Sequence, residues 1–283
     1  VGIDDVWPRI EHVLDTRPDI VDADGADPLP VVAGHVEFDR VEFRFPHAGN
    51  ERPVLCDVSF TIEPGEKLAL VGRTGSGKST IAALLTRLFD VSGGAIRLDG
   101  RDIRTLPLAQ LRGAVGVVPQ DPFLFSTTLE ENIRFAAHDS TEAEVQEAAA
   151  AAGIARDIES FPDGYRTQVG ERGIMLSGGQ KQRTTLARAI LADPKVLVLD
   201  DSLSSVDART EREILTSLER VLHGRTSIVI THRISTIQDA DRIAVVDDGR
   251  IVEIGDHHSL LARNGIYTEL FRQQRLEEEL AAL

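Results

Sequence analysis

The chain has 283 residues, 42% of them hydrophobic, enough for one large domain or two small ones and too many for a disordered chain. Its formal net charge of −15 argues against a nucleic-acid-binding surface, which needs a basic stripe. A single cysteine, Cys56, excludes an internal disulfide, suits a reducing compartment and reads most simply as a small buried hydrophobe. No apolar run approaches the ~18–20 residues that span a bilayer, and no signal-peptide pattern opens the chain. The chain starts at Val1 rather than Met, so a piece of a longer polypeptide is expected.

Residues 1 to 14 place Val6, Ile10, Val13 and Leu14 on one helical face with Trp7 beside it, an amphipathic helix or a connector to something preceding. Asp15 to Gly34, rich in Asp, Pro, Gly and Ala, reads as a linker. Val36–Phe38, Val41–Phe45 and the set Val58, Phe60, Ile62 alternate apolar with polar residues, as strands of a small antiparallel sheet do. Phe45, just before Pro46, is either a core residue or an aromatic that stacks on a nucleobase.

Leu68–Val71 is a strand running into Gly72-Arg73-Thr74-Gly75-Ser76-Gly77-Lys78-Ser79, and a helical pattern from Thr80 to Phe89 runs out of it. The octapeptide fits G-x-x-x-x-G-K-[ST] without mismatch, in the strand–loop–helix context the motif requires. Its glycines let several N–H groups point at one centre, where a phosphate sits at the positive end of the helix. Lys78 reaches the β- and γ-phosphates, and the Ser79 hydroxyl suits Mg²⁺, a cation that takes oxygen ligands. This is a nucleoside-triphosphate site.

Gly93–Arg104 reads as a hairpin through Asp99-Gly100, and Val115–Val118 as a buried strand ending at Pro119-Gln120. Gln120 past a strand's carboxyl end is placed for Mg²⁺ or a water, or is a turn residue. Residues 123–190 have almost no strand signal and form a helical insertion, with Thr128–Phe135 a short helix and a capping box at Thr141–Glu144 opening another. The insertion ends in Leu176-Ser177-Gly178-Gly179-Gln180 before a helix over Lys181–Leu191. Ser177 can cap it, and the two glycines leave N–H groups exposed, which makes either a second anion site or an ordinary capped start.

Val196–Leu199 is a central parallel strand, apolar throughout, ending in Asp200-Asp201. Asp200 is placed to hold the Mg²⁺ of the phosphate site, and Asp201 to polarise the attacking water. Ser204-Ser205-Val206-Asp207 precede a helix over Ala208–Leu222. Ile228–Ile230 is another buried strand, with His232 just beyond it at the same sheet edge. Ile243–Ile254 reads as a hairpin through Asp248-Gly249, and Ser259–Leu283 as a charged helical tail. His257-His258 has no partner at metal-ligand spacing.

These motifs, in this order, resemble the nucleotide-binding domain of an ATP-binding-cassette (ABC) exporter, from about Val36 to the tail. The resemblance implies an α/β fold: a P-loop NTPase core with a parallel sheet, an N-terminal antiparallel β subdomain and an inserted α-helical subdomain over about 121–190. It makes residues 35–283 the cassette and 1–34 a connector from a preceding membrane domain. It implies ATP and Mg²⁺ as ligands, with Phe45 and the stretch Gly72, Arg73, Thr74, Gly75, Ser76, Gly77, Lys78, Ser79 and Thr80 on the nucleotide. Ser79, Gln120 and Asp200 fall to the metal, and Asp201, Gln120 and the switch residue His232 to catalysis. Leu176–Gln180 is the signature that meets the ATP of a second, head-to-tail cassette, Ser204–Asp207 the D-loop, and Gly170–Gly173 the X-loop.

One position departs from the pattern: Asp201 stands where active members usually have Glu. Its carboxylate is retracted by ~1.5 Å, one carbon–carbon bond, and a misplacement of about 1 Å costs on the order of 10²-fold in rate. With the signature intact, the expectation is one half of an asymmetric, heterodimeric exporter at the cytoplasmic face of the plasma membrane, its own site slow. No nucleic acid is expected as a partner. The alternative is a soluble cassette ATPase of DNA repair or translation, against which stand the short Gln120–Ser177 insertion, the single cysteine, the single cassette and the acidic balance.

Overall fold

The computed structural model describes residues 18–46, 52–170, 174–201, 224–231 and 237–281, with single positions at 7, 10, 11, 15, 214 and 222. The calls on Glu171–Gly173, Ser204–Asp207, His232 and nearly all of the helix over 208–222 lie outside these residues. Of the expected N-terminal helix, Trp7, Ile10 and Glu11 are described and are helical.

Two sheets organise the molecule. The first is antiparallel, in the order β2-β1-β4-β5, built from β1 (Val36–Phe43), β2 (Leu55–Ile62), β4 (Gly93–Leu98) and β5 (Arg101–Asp102). The two segments expected at 36–45 are one strand. Arg40, at φ 49, shifts the register, so Val36 and Phe38 are buried before it and Val41 and Phe43 after it. The strand ends at Phe43, leaving Arg44 and Phe45 outside the ladder.

The second sheet runs β10-β9-β3-β8-β7-β6, with β3 (Lys67–Val71), β6 (Val115–Val118), β7 (Val196–Asp200), β8 (Thr226–Ile230) and β9 (Arg242–Asp247) parallel and β10 (Arg250–Gly255) antiparallel at its edge. Alternate residues of each strand go to opposite layers, as a two-residue period demands. Leu68, Leu70, Val196, Val198, Ile228, Ile230, Ala244 and Val246 face a core shared with the antiparallel sheet and α1 (Lys78–Leu85). Leu197, Leu199 and Val229 face the helical insertion, while Ala69, Val71, Ile243 and Val245 face the C-terminal helices. Apolar residues on both faces explain why these strands read as unbroken hydrophobic runs.

The insertion holds α3 (Leu129–Arg134), α4 (Glu142–Ala151), α5 (Ala155–Ser160) and α6 (Gly178–Leu191); α2 (Leu108–Ala114) precedes β6. Three of these starts carry complete capping boxes, Thr128 with Glu131, Thr141 with Glu144 and Ser177 with Gln180. The tail is two helices, α7 (His257–Arg263) and α8 (Ile266–Ala281). Asn264 separates them at φ 50, a left-handed backbone that asparagine tolerates and a continuous helix cannot contain.

Candidate nucleotide site

The parallel topology brings the carboxyl ends of β3, β6, β7 and β8 to one edge, where α/β sheets bind ligands. The loop after β3 wraps the start of α1. Gly77 caps that helix at φ 103 and offers no side-chain acceptor, so the first-turn N–H groups stay available to an anion. A Cβ on Gly72, at φ 153, would lie 2.1 Å from the Val246 carbonyl, so only glycine lets the loop pack on β9. Beyond β9, Gly249 N–H donates to the Ser76 carbonyl at 3.2 Å. The β9–β10 turn, with Asp248 and Gly249 both at positive φ, therefore props the loop.

A cleft of about 390 Å³ opens over this loop. Phe45, Val54, Lys78, Ser79, Thr80, Gln120, Asp200, Asp201 and Thr231 line it. Gly72, Thr74, Gly75 and Gly77 also line it; Arg73 and Ser76 do not. Ser76 is buried, and its N–H donates to the Arg73 carbonyl at 3.2 Å, which closes the loop's turn.

Lys78 Nζ donates to the carbonyls of Gly72 and Arg73, both at 2.9 Å, and approaches Ser76 Oγ at 3.4 Å. Burial pushes its ammonium below the usual lysine range, against the pull of the Asp200 and Asp201 carboxylates. Burial also raises the Asp200 carboxyl above its ordinary value; a hydrogen bond from Ser79 and the charge of Lys78 oppose that, and Asp201 reinforces it. A buried carboxylate bonded to a hydroxyl, with the Gln120 amide in the same cleft, is an all-oxygen donor set that fits Mg²⁺ better than a softer metal. Asp201 sits at φ 43, its N–H bonded to the Ile230 carbonyl at 2.7 Å, so β8 fixes the backbone that carries its side chain.

Phe45 is 40% exposed. Its ring is packed edge-on against Phe43 at 4.9 Å and Phe89 at 5.4 Å, and these neighbours hold it at the mouth of the cleft. Both readings of Phe45 thus have a structural counterpart, a packed edge and an open surface.

The signature stretch lies elsewhere: none of Leu176, Ser177, Gly178, Gly179 and Gln180 lines the cleft. Leu176 is buried, Ser177 and Gly178 are exposed, and Gln180 Nε2 donates to Asp157 at 2.9 Å. Arg183 holds the same carboxylate at 2.8 Å, so α5 braces the start of α6. Sequence reasoning missed Val54 and Thr231. Thr231 carried the same signal as Gln120 and Asp200, a polar residue just past an apolar strand. Val54, in the loop before β2, carried none.

A profile of the ABC transporter family matches residues 55–204, more than half of the chain. The chain belongs to the ABC transporter family. It is an ABC nucleotide-binding domain, and the two-sheet α/β architecture with its helical insertion is the fold of that domain. It is 49% identical over 271 residues to the ABC transporter aclQ of Aspergillus oryzae, covering 96% of this chain and 33% of that protein. It is 48% identical over 267 residues to the human ATP-binding cassette sub-family B member 6, covering 94% of this chain and 31% of that protein. A solved bacterial Atm1-family ABC exporter with ATP bound superposes with a TM-score of 0.89 at 42% identity, over 95% of this chain and 46% of that one. The ABC domain thus spans about a third of the length of the curated relatives it matches. Among the described residues no helix is long and apolar enough to cross a membrane.

Proposed function

We propose that this ABC domain binds MgATP in the cleft over Lys78 and hydrolyses it as the motor of a membrane exporter. What carries the reading is that Phe45, Lys78, Ser79, Gln120, Asp200 and Asp201, spread over more than 150 positions, line one cleft. The N–H groups of the loop and the first turn of α1 hold phosphate oxygens, and Lys78 leaves the Gly72 and Arg73 carbonyls for charge-assisted bonds to phosphate. Phe45 stacks on the base. Ser79, Gln120 and Asp200 would hold Mg²⁺, which would supply positive charge against the phosphates. Asp201 polarises the attacking water, and His232 is assigned to the γ-phosphate by its place after β8.

The signature Leu176–Gln180 serves the ATP of a second cassette in a head-to-tail pair, and Ser204–Asp207 is the D-loop by its sequence. Its separation from this chain's own cleft favours that arrangement. A membrane domain N-terminal in the same polypeptide and the cytoplasmic face of the plasma membrane are read from the sequence resemblance. The greater length of the relatives and the exporter among the solved neighbours support a membrane association. They favour this over a soluble ATPase of repair or translation.

The short Asp201 side chain makes this chain's own site slow, and its partner a non-identical cassette with the faster site. Steady-state ATPase of the chain reconstituted with that partner tests this. Ser177→Arg removes most turnover, Asp201→Ala changes it by less than about threefold, and Asp201→Glu raises the slow site by about 10–100-fold. The opposite pattern, with Asp201→Ala silencing the pair and Ser177→Arg tolerated, makes this chain's own site the working one.

A further inference from the structure

Residues 20–35 form no helix or strand, yet they are tied down along their length. Asp22 Oδ1 accepts the Leu108 N–H at 2.6 Å. Leu29 and Gln110 exchange two bonds: Leu29 N–H to Gln110 Oε1 at 2.8 Å, and Gln110 Nε2 to the Leu29 carbonyl at 2.7 Å. Asp27 N–H donates to the Thr105 carbonyl at 3.3 Å, and its carboxylate pairs with Arg101 at 3.1 Å. The N–H groups of Ala33, Gly34 and His35 converge on the Asp99 carboxylate, at 2.9, 3.1 and 2.9 Å. Thr226 Oγ1 donates to the Gly34 carbonyl at 2.8 Å.

These contacts fall into two groups. Residues 33–35 are fixed to the Asp99 turn and to the first residue of β8, which are rigid parts of the two sheets. Residues 22–29 instead grip α2, the turn before it and, through Asp27, Arg101 of β5. Pro107 caps α2 without a side-chain bond, and helix starts leave their first N–H groups unpaired. Asp22, 86 positions away in sequence, supplies the acceptor, and its negative charge suits that end of the helix. The C-cap of α2 is Val115, which is also the first residue of β6, so no loop separates helix from strand. Among the described residues β6 is an edge strand, paired with β7 alone. Only Pro119 stands between its end and Gln120 in the cleft.

We infer that residues 20–35 are a strap that sets the position of Gln120 through α2 and β6, with Asp22 and Gln110 as positioning residues. The inference rests on the assignment of the cleft to MgATP. A helix and strand joined without a loop move as one body, so a shift at Leu108 reaches Gln120 instead of being absorbed. The chain upstream of the strap and the nucleotide cleft are then coupled, and coupling is reciprocal: ATP that fixes Gln120 tightens the strap.

Hydrogen exchange by mass spectrometry on the 283-residue chain, with and without MgATP and with calorimetry alongside, tests this. Without nucleotide, Gln110→Ala speeds exchange in 20–35 and 108–118 by at least about fivefold, the worth of one of the two hydrogen bonds it removes, and leaves β3 and β8 unchanged. Gln110→Glu, which keeps the acceptor for Leu29 N–H, lies between wild type and Gln110→Ala. MgATP slows exchange in the wild-type strap by at least about threefold, and Gln110→Ala loses that response while still binding ATP. The inference is overturned if Gln110→Ala leaves 108–118 unchanged without nucleotide, or if the wild-type strap ignores MgATP that calorimetry shows bound. Absence of calorimetric binding counts against the nucleotide reading instead, and the nucleotide-free comparison still decides the strap.

Discussion

At the scale of single residues, the cleft is a set of charges held where water hydrates them poorly. Asp200 is 7% exposed and its carboxyl is raised above the ordinary 3.8 by burial. The folded chain keeps a proton there at pH values where the unfolded chain has lost it. Stability therefore falls as pH rises from 3.8 through the folded value. Asp200→Asn removes that slope and raises the neutral-pH Tm of the nucleotide-free chain. It also abolishes the extra stabilisation that Mg²⁺ adds to ATP, since an amide lacks the charge that holds the cation. Thermal melts from pH 4 to pH 7, with ATP alone and with MgATP, check both effects. A lower Tm in the variant at neutral pH would mean that the carboxylate is structural. Most of these residues were legible because their chemistry is local: glycines that free N–H groups, a lysine after them, acids after an apolar run. Phe45 was not decided by position, because its role depends on Phe43 and Phe89, and Phe89 is distant in sequence.

At the scale of elements, the capping box at Thr141, the cap at Ser177 and the turns at Asp99-Gly100 and Asp248-Gly249 were legible as short patterns with fixed geometry, whereas the boxes that Glu131 completes with Thr128 and Gln180 with Ser177 were not read. The merging of two apparent strands into β1 was not, because the bulge at Arg40 breaks the alternation where a turn would also break it. The strap was not legible either. Its Asp, Pro and Gly composition signals a linker, and the bonds that fix it come from residues 64 to 192 positions away. Gly249 links elements in the same hidden way. A Cβ there would sit 2.3 Å from the Val54 carbonyl, on a backbone at φ 73. Cys56 N–H donates to the Gly249 carbonyl at 2.8 Å, so the turn joins the two sheets as well as propping the phosphate loop. Gly249→Ala lowers Tm by roughly 5–10 °C and weakens ATP binding, although the residue does not line the cleft. Differential scanning calorimetry and nucleotide titration measure the two effects separately.

At the scale of the whole molecule, the phosphate loop and the signature sit on different parts of one fold. The loop belongs to the sheet edge at the end of β3, and the signature to the start of α6, where Asp157 and Arg183 brace it. The three core layers keep these parts separate. The residues of β7 and β8 that face the antiparallel sheet and α1 alternate with those that face the insertion. The proposed head-to-tail pair would have two composite sites, each with a loop from one chain and a signature from the other. The account's central claim is that this chain's cleft binds MgATP through Lys78 and without its own signature. Calorimetric titration of wild type, Lys78→Ala and Ser177→Arg with MgATP at chain concentrations below association tests that claim most directly. The account predicts that Lys78→Ala weakens binding by at least about tenfold, the loss of a charge-assisted contact, and that Ser177→Arg binds as wild type does. Equal affinity in Lys78→Ala, or loss of binding in Ser177→Arg, would contradict it.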